Sequence, residues 1–242
     1  MATMVLVPGA WLGGWAWQEV AAGLRAAGHD VRPLTLTGVA DRSHLAGPGV
    51  DLDTHATDIV RLIEAEELHD VVLVGHSHGG IAVAAAADRI PDRLARVVYV
   101  DSGPLPNGMA EVELWPQEEQ RRVHARTDGL LPPRDWDPAK DPQNLAGLGE
   151  DALATLRRRA THHPVASVTQ PMERAGDPFA VPATLLACTI PLDQVRAMRE
   201  TGHPFFAPLA KADLVGLPTG HWPMFSEPAR LTELLDEIAR AS

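Results

Sequence analysis

Gly75-His76-Ser77-His78-Gly79-Gly80 follows directly on the apolar run Val71–Val74 and leads into the small-residue stretch Ile81–Ala87. A serine with glycine two residues to either side, between a strand and a helix, can occupy a strained turn that lifts its hydroxyl above a sheet. The glycines serve that turn, because flanking backbone comes so close that a β-carbon at 75 or 79 would collide. The first N–H groups of the following helix then point toward a carbonyl under attack by the Ser77 hydroxyl. A serine hydroxyl is a poor nucleophile until a base removes its proton. Of the 11 histidines, His221 is the one placed for that task. It lies in Leu217-Pro218-Thr219-Gly220-His221-Trp222, after the last expected strand and before the last expected helix. Loops at the carboxyl ends of parallel strands are where sites form in such sheets. His76 and His78 flank the serine, but adjacent side chains in a tight turn diverge. His76 reads as a packing residue, and His78 as a pocket-wall residue whose backbone N–H matters more than its ring. His162-His163 has no Cys, Asp or Glu in a ligand pattern beside it and reads as the solvated end of a helix, so no metal is expected.

These residues need a scaffold, and the chain alternates between two periods. Met4–Val7, Val71–Val74 and Val97–Val100 are short apolar runs that read as strands, and Asp30–Leu34, Ala183–Cys188 and Leu214–Leu217 read as strands as well. Between and after them, Gln18–Ala27, Asp53–Glu66, Ile81–Ala87, Leu192–Glu200 and Pro228–Ala241 carry helical spacing, the last with Leu231, Leu234, Leu235 and Ile238 on one stripe. Alternation of this kind predicts an α/β fold, a mostly parallel central sheet with helices on both faces.

The alternation breaks between about Pro104 and Pro182, a third of the chain that holds 11 of its 21 prolines. A structureless connection of that length would be out of place in a compact domain. Two charged stretches within it, Gln117–Thr127 and Asp151–Ala160, read as helices. The expected organisation is therefore a catalytic core, 1–103 and 183–242, with a helical cap inserted at 104–182.

Composition limits the partners. Hydrophobic residues make up 45% and charged residues 22%, as in soluble globular proteins, and the net charge is −11. A nucleic-acid partner would need a basic surface, and an anionic membrane would repel this one. The single cysteine, Cys188, excludes an intrachain disulfide framework. No apolar run reaches transmembrane length and Met1-Ala2-Thr3-Met4 lacks a charged leader region, so a cytoplasmic location is expected.

On these residues the chain resembles the α/β-hydrolase superfamily over essentially its whole length. Val5-Leu6-Val7-Pro8-Gly9-Ala10-Trp11-Leu12-Gly13-Gly14-Trp15-Ala16-Trp17 is similar to the opening of the group that contains plant methylesterases, hydroxynitrile lyases and bacterial pyrethroid-hydrolase-like esterases. That opening is specific to the group, whereas the serine turn is specific only to the superfamily. The resemblance implies an oxyanion hole made by the backbone N–H groups of Ala10 and His78. Pro8 stands where the family commonly has histidine, a mild departure because the hole uses backbone further along. The lyases of the group carry a threonine at the position of Gly9 and a lysine at that of Trp222; both are missing, which disfavours cyanide chemistry. Ser77 at the turn excludes the aspartate-based chemistry of haloalkane dehalogenases and epoxide hydrolases.

The acid partner of His221 stays open between two residues. The superfamily usually places it after the strand Ala183–Cys188, where Asp193 is the nearby carboxylate, though Asp193 also suits the first turn of a helix. Asp101, directly after Val97–Val100, is the alternative position and the favoured one. Trp11, Trp115, Trp136 and Trp222, with the His78 ring, are expected to wall an apolar or aromatic pocket. The expected function is a serine hydrolase that cleaves a carboxylic ester or lactone of a small molecule without a cofactor. The alternatives are a cofactor-free cyclase, acyltransferase or dioxygenase on the same residues, or a receptor-like binder with little turnover. A homodimer is compatible with all of them.

Overall fold

The structure, a computed structural model, describes residues Met1–Ser242. In chain order its strands are β1 (Thr3–Val7), β2 (Asp30–Pro33), β3 (Val71–His76), β4 (Leu94–Val100), β5 (Leu130–Leu131), β6 (His163–Pro164), β7 (Ala183–Ala187) and β8 (Asp213–Gly216). Its helices are α1 (Gln18–Ala26), α2 (Leu52–Ala65), α3 (His78–Arg89), α4 (Gln117–His124), α5 (Glu150–Arg159), α6 (Val165–Thr169), α7 (Leu192–Glu200), α8 (Pro223–Ser226) and α9 (Pro228–Arg240). No helix is long and apolar enough to cross a membrane.

Six strands form one sheet in the order β2-β1-β3-β4-β7-β8, and every neighbouring pair in it is parallel. Both faces are covered, so successive strand residues enter opposite cores. Met4, Leu6, Val72, Val74, Val98 and Val100 pack with α1 and α9 residues such as Leu24, Leu231 and Leu235. Val5, Val7, Leu73, Val97 and Tyr99 pack with Ile59 and Ile63 of α2 and Ala82 and Val83 of α3. This two-sided burial explains why the inner strands read as largely continuous apolar runs rather than alternating ones. Helix α2 starts sharply because Asp51 accepts from the Thr54 N–H at 2.8 Å. Helix α3 is buried from His78 to Ala86, which its run of alanine and glycine permits.

All six expected strands and the five expected helices are present. The segment joining β4 to β7 is less purely helical than expected. It holds α4, α5 and α6, but also a two-stranded antiparallel ladder, β5 with β6. His162-His163 is not a solvated helix end. Helix α5 stops at Arg159, and His163 lies in β6 with its side chain fully buried. The segment packs onto the core: its Trp136, Leu145, Leu153 and Leu156 belong to the same apolar cluster as Met4 and Leu6.

Candidate active site

Ser77 sits between β3 and α3 with φ 52° and ψ −127°, a left-handed conformation that costs a non-glycine residue energy. The backbone on either side of the turn is closely packed. A β-carbon on Gly75 would lie 2.6 Å from the Gly79 carbonyl oxygen, and one on Gly79 would lie 2.4 Å from that of Pro8. The Ser102 hydroxyl donates to the Ser77 carbonyl at 2.6 Å and fixes the turn from the β4 side.

His221 reaches this turn from the loop after β8. Its Nε2 is 2.9 Å from Ser77 Oγ and its Nδ1 is 2.6 Å from Asp101 Oδ2. Asp101 follows β4 with φ 46°, and its N–H donates to the Leu186 carbonyl at 2.8 Å. The same carboxylate accepts from the N–H groups of Cys188 and Thr189, at 3.1 and 2.9 Å, and from the Thr189 hydroxyl. Burial by itself would raise the Asp101 pKa; the bonds from His221 and Thr189 outweigh it and hold the carboxyl below its ordinary range. Asp193 is elsewhere. It lies on exposed α7 and pairs with Arg196 at 2.9 Å. The loop after β7 thus serves the His221 side by donating to Asp101 rather than by supplying a carboxylate of its own.

The main chain around His221 is held twice. Its N–H donates to the Asn144 carbonyl at 2.7 Å, and its carbonyl accepts from His76 Nε2 at 2.5 Å. His76 packs as expected, but it also makes this bond, and burial lowers its pKa to about 3, so the ring is neutral.

The loop after β1 abuts the serine turn, since a β-carbon on Gly9 would be 3.0 Å from Ser77 Cβ. The Ala10 N–H makes no hydrogen bond within the chain. His78 opens α3, where first-turn N–H groups have no intrahelical acceptor. Trp11 holds φ 68°, fixed by its N–H donating to His163 Nδ1 at 3.3 Å and its carbonyl accepting from the Thr161 N–H at 3.0 Å. The insertion thereby ties down the loop that carries Ala10.

The His78 ring departs from expectation. It does not line the cavity beside Ser77 but is fully buried, with Nε2 2.9 Å from His55 Nδ1 and Nδ1 2.6 Å from Glu111 Oε2. His163 completes a buried group in which ring nitrogens of His55, His78 and His163 lie within 4.8 Å of one another. Every ring nitrogen in this group already has a partner in the chain, including Thr37 O for His55 and Ser167 Oγ for His163. Burial lowers the pKa of His55 to about 3 and that of His163 well below the usual histidine range, so these two rings are neutral. Sequence reasoning had no means to find this group. Its members are far apart in the chain, and Glu111 lies in a segment without periodicity.

A cavity of about 250 Å³ opens beside Ser77 and His221. Trp11, Trp115 and Trp222 line it together with Ala10, Phe205, Glu111 and Arg134. Trp136 does not touch it, but packs edge-on against Trp222 at 4.9 Å and lines a larger cleft of about 810 Å³ in the insertion. Trp11, Trp115, Arg134 and Asn144 border both spaces.

Comparison with known proteins places the fold and the family. Residues 4–234 match the model of the Alpha/beta hydrolase family. A carbendazim-hydrolysing esterase of a Nocardioides species is 39% identical over 186 residues, covering 75% of this chain and 77% of that one. Methylesterase 7 of Arabidopsis thaliana is 28% identical over 260 residues, covering 97% and 95%. The structure of an extracellular alpha/beta-hydrolase from a Paenibacillus species superposes with a TM-score of 0.81 at 19% identity, covering 99% of this chain and all of that one. The six parallel strands, the serine turn at the end of β3 and the family match over nearly the full length leave one assignment: the chain belongs to the alpha/beta hydrolase family, among carboxylic ester hydrolases.

Proposed function

We propose that this hydrolase cleaves a carboxylic ester or lactone of a small, largely apolar molecule through an acyl-enzyme on Ser77. The carrying observation is the continuous hydrogen-bond chain Ser77 Oγ–His221–Asp101, at 2.9 and 2.6 Å. Ser77 Oγ attacks the carbonyl carbon while its proton passes to His221 Nε2. Asp101, an ionised acceptor, keeps the Nδ1–H tautomer and stabilises the imidazolium that forms. The carbonyl oxygen gains negative charge and meets the N–H groups of Ala10 and His78. Loss of one such donor typically costs about 10²–10³ in rate. Collapse expels the alcohol, which takes the proton from His221. Water, deprotonated by the same ring, then attacks the acyl carbon and releases the acid and Ser77.

The tryptophans around the cavity support an apolar or aromatic acyl or alcohol group, and the insertion at 104–182 serves as its lid. A small-molecule partner and a cytoplasmic location belong to the same proposal. The test is a panel of aryl and methyl esters with wild type and Ser77→Ala. Turnover lost in the variant, together with a wild-type acyl adduct in the intact mass, supports the reading. Equal turnover in both proteins, with no adduct, refutes it.

A further inference from the structure

Glu111 lies in the insertion, is nine-tenths buried and lines the cavity beside Ser77. The protons around it can be placed one by one. Thr37 offers a carbonyl, which only accepts, so His55 Nε2 carries a hydrogen and donates to it at 2.9 Å. His55 is neutral, since burial holds its pKa at about 3, and its Nδ1 is therefore a bare acceptor. His78 Nε2 must donate to that nitrogen, at 2.9 Å. What remains is His78 Nδ1 against Glu111 Oε2 at 2.6 Å, a contact that exists only if one proton lies between them.

One oxygen of Glu111 is thus committed inward, together with the proton. The other, Oε1, accepts no hydrogen bond from the chain, yet it is not sealed off among the buried atoms that lack partners. The wall around it does not answer it. Arg134 is turned to Asp141 at 3.0 Å, and the Asn144 amide donates to the same residue at 2.8 Å. A nearly buried carboxyl oxygen that can only accept leaves its hydrogen bond to whatever occupies the cavity.

We propose that Glu111 is a specificity-determining residue whose Oε1 selects substrates bearing an N–H or O–H donor on the part that faces the insertion. This rests on the ester-hydrolase reading above and names its substrate class more closely. The pair His78–Glu111 carries no net charge whichever atom holds the proton, so the complementary group is a neutral donor, such as a phenol, alcohol, amide or carbamate N–H, rather than an ammonium. A site built to bond such a group rejects the analogue that lacks it, because the acceptor is then left buried and unpaired.

The test uses matched methyl esters, 3- and 4-hydroxybenzoate against 3- and 4-methoxybenzoate, in which only the donor is capped. The expected result is a wild-type preference for at least one hydroxy ester of about 10- to 100-fold in kcat/KM, the cost of one acceptor left unpaired, expressed mainly in KM. Glu111→Leu removes the preference. Glu111→Gln retains it, since its amide N–H can serve His78 Nδ1 while its carbonyl faces the cavity. Equilibrium binding of the same pairs to Ser77→Ala reads the preference without turnover. A preference in binding without any hydrolysis by wild type supports Glu111 and refutes the acyl-enzyme reading. Equal handling of both members of each pair by wild type, or a preference that survives in Glu111→Leu, overturns the proposal for Glu111 while leaving the acyl-enzyme reading untouched.

Discussion

Nε2 of His76 donates to the main-chain carbonyl of His221 at 2.5 Å, so the residue before the proposed nucleophile holds the backbone of the proposed base. A carbonyl only accepts, which puts the hydrogen of the neutral ring on Nε2 and leaves Nδ1 buried without a partner. The two rings also lie 4.8 Å apart, centre to centre. The turn and the base loop are thereby coupled through one side chain as well as through the Ser77 hydroxyl.

His76→Phe keeps the ring packing and removes the donor. The His221 carbonyl is then left unpaired, a loss of about 1–3 kcal/mol for a buried acceptor. Because Phe also removes the unpaired Nδ1, the expected outcome is a lower unfolding free energy by less than that amount and a fall in kcat with little change in KM. Urea unfolding and steady-state kinetics check it, and a variant with wild-type kcat would show that the bond does not position His221.

Asp101→Asn and Asp193→Asn separate the two carboxylates. Asparagine tolerates the left-handed φ of 46° at position 101, so the fold survives. Its amide cannot hold the Nδ1–H tautomer of His221, and kcat is expected to drop by about 10³–10⁴. Asp193 carries only an exposed pair with Arg196, and its variant is expected to match wild type. A large loss in Asp193→Asn would contradict the assignment.

Stability should fall with acid in a defined window. His55 and His76 are held near a pKa of about 3 by burial, below the ordinary value of 6.5. The unfolded chain therefore binds more protons than the folded one between these values, and stability present above pH 6.5 is lost as the pH falls toward 3. Each ring contributes about 1.4 kcal/mol per pH unit in that range. Asp101, depressed as well, adds a loss below the ordinary carboxylate range. Urea unfolding at several pH values checks the slope, which His76→Phe should reduce by one histidine's share. A stability independent of pH between 6.5 and 5 would be incompatible with neutral buried rings.

Two glycines at the site differ in what surrounds them. A β-carbon on Gly79 meets the backbone oxygens of Pro8 and Val7 at 2.4 and 2.6 Å, and neither can move without disturbing β1. One on Gly9 meets the His76 ring at 2.8 Å. Gly79→Ala is expected to unfold several degrees below wild type, and Gly9→Ala to fold but lose activity through a displaced His76. Thermal melts and ester kinetics on both variants test this, and an active, stable Gly79→Ala would refute the geometry of the turn.

Local patterns were enough for the scaffold. The inner strands β1, β3, β4 and β7 are covered on both faces, so their buried stretches read as largely apolar runs, and the glycines of the serine turn recorded a backbone contact as a motif. That Ser77 and His221 both stand in loops at the carboxyl ends of parallel strands also follows from the order of elements. The choice between Asp101 and Asp193 did not, because it depends on where the loop after β7 carries Thr189 and on the direction in which β4 ends. The buried histidine group was beyond reach for a related reason. His55, His78, Glu111 and His163 come from four separate segments and have no spacing in common. Only the packing of α2 and α3 against the insertion removes water from them and obliges them to satisfy one another. The sequence by itself determined the sheet, the turn and the residue types at its edge; tertiary structure decided which side chains meet there, because burial and hydrogen-bond partners belong to the folded chain rather than to its local periodicity.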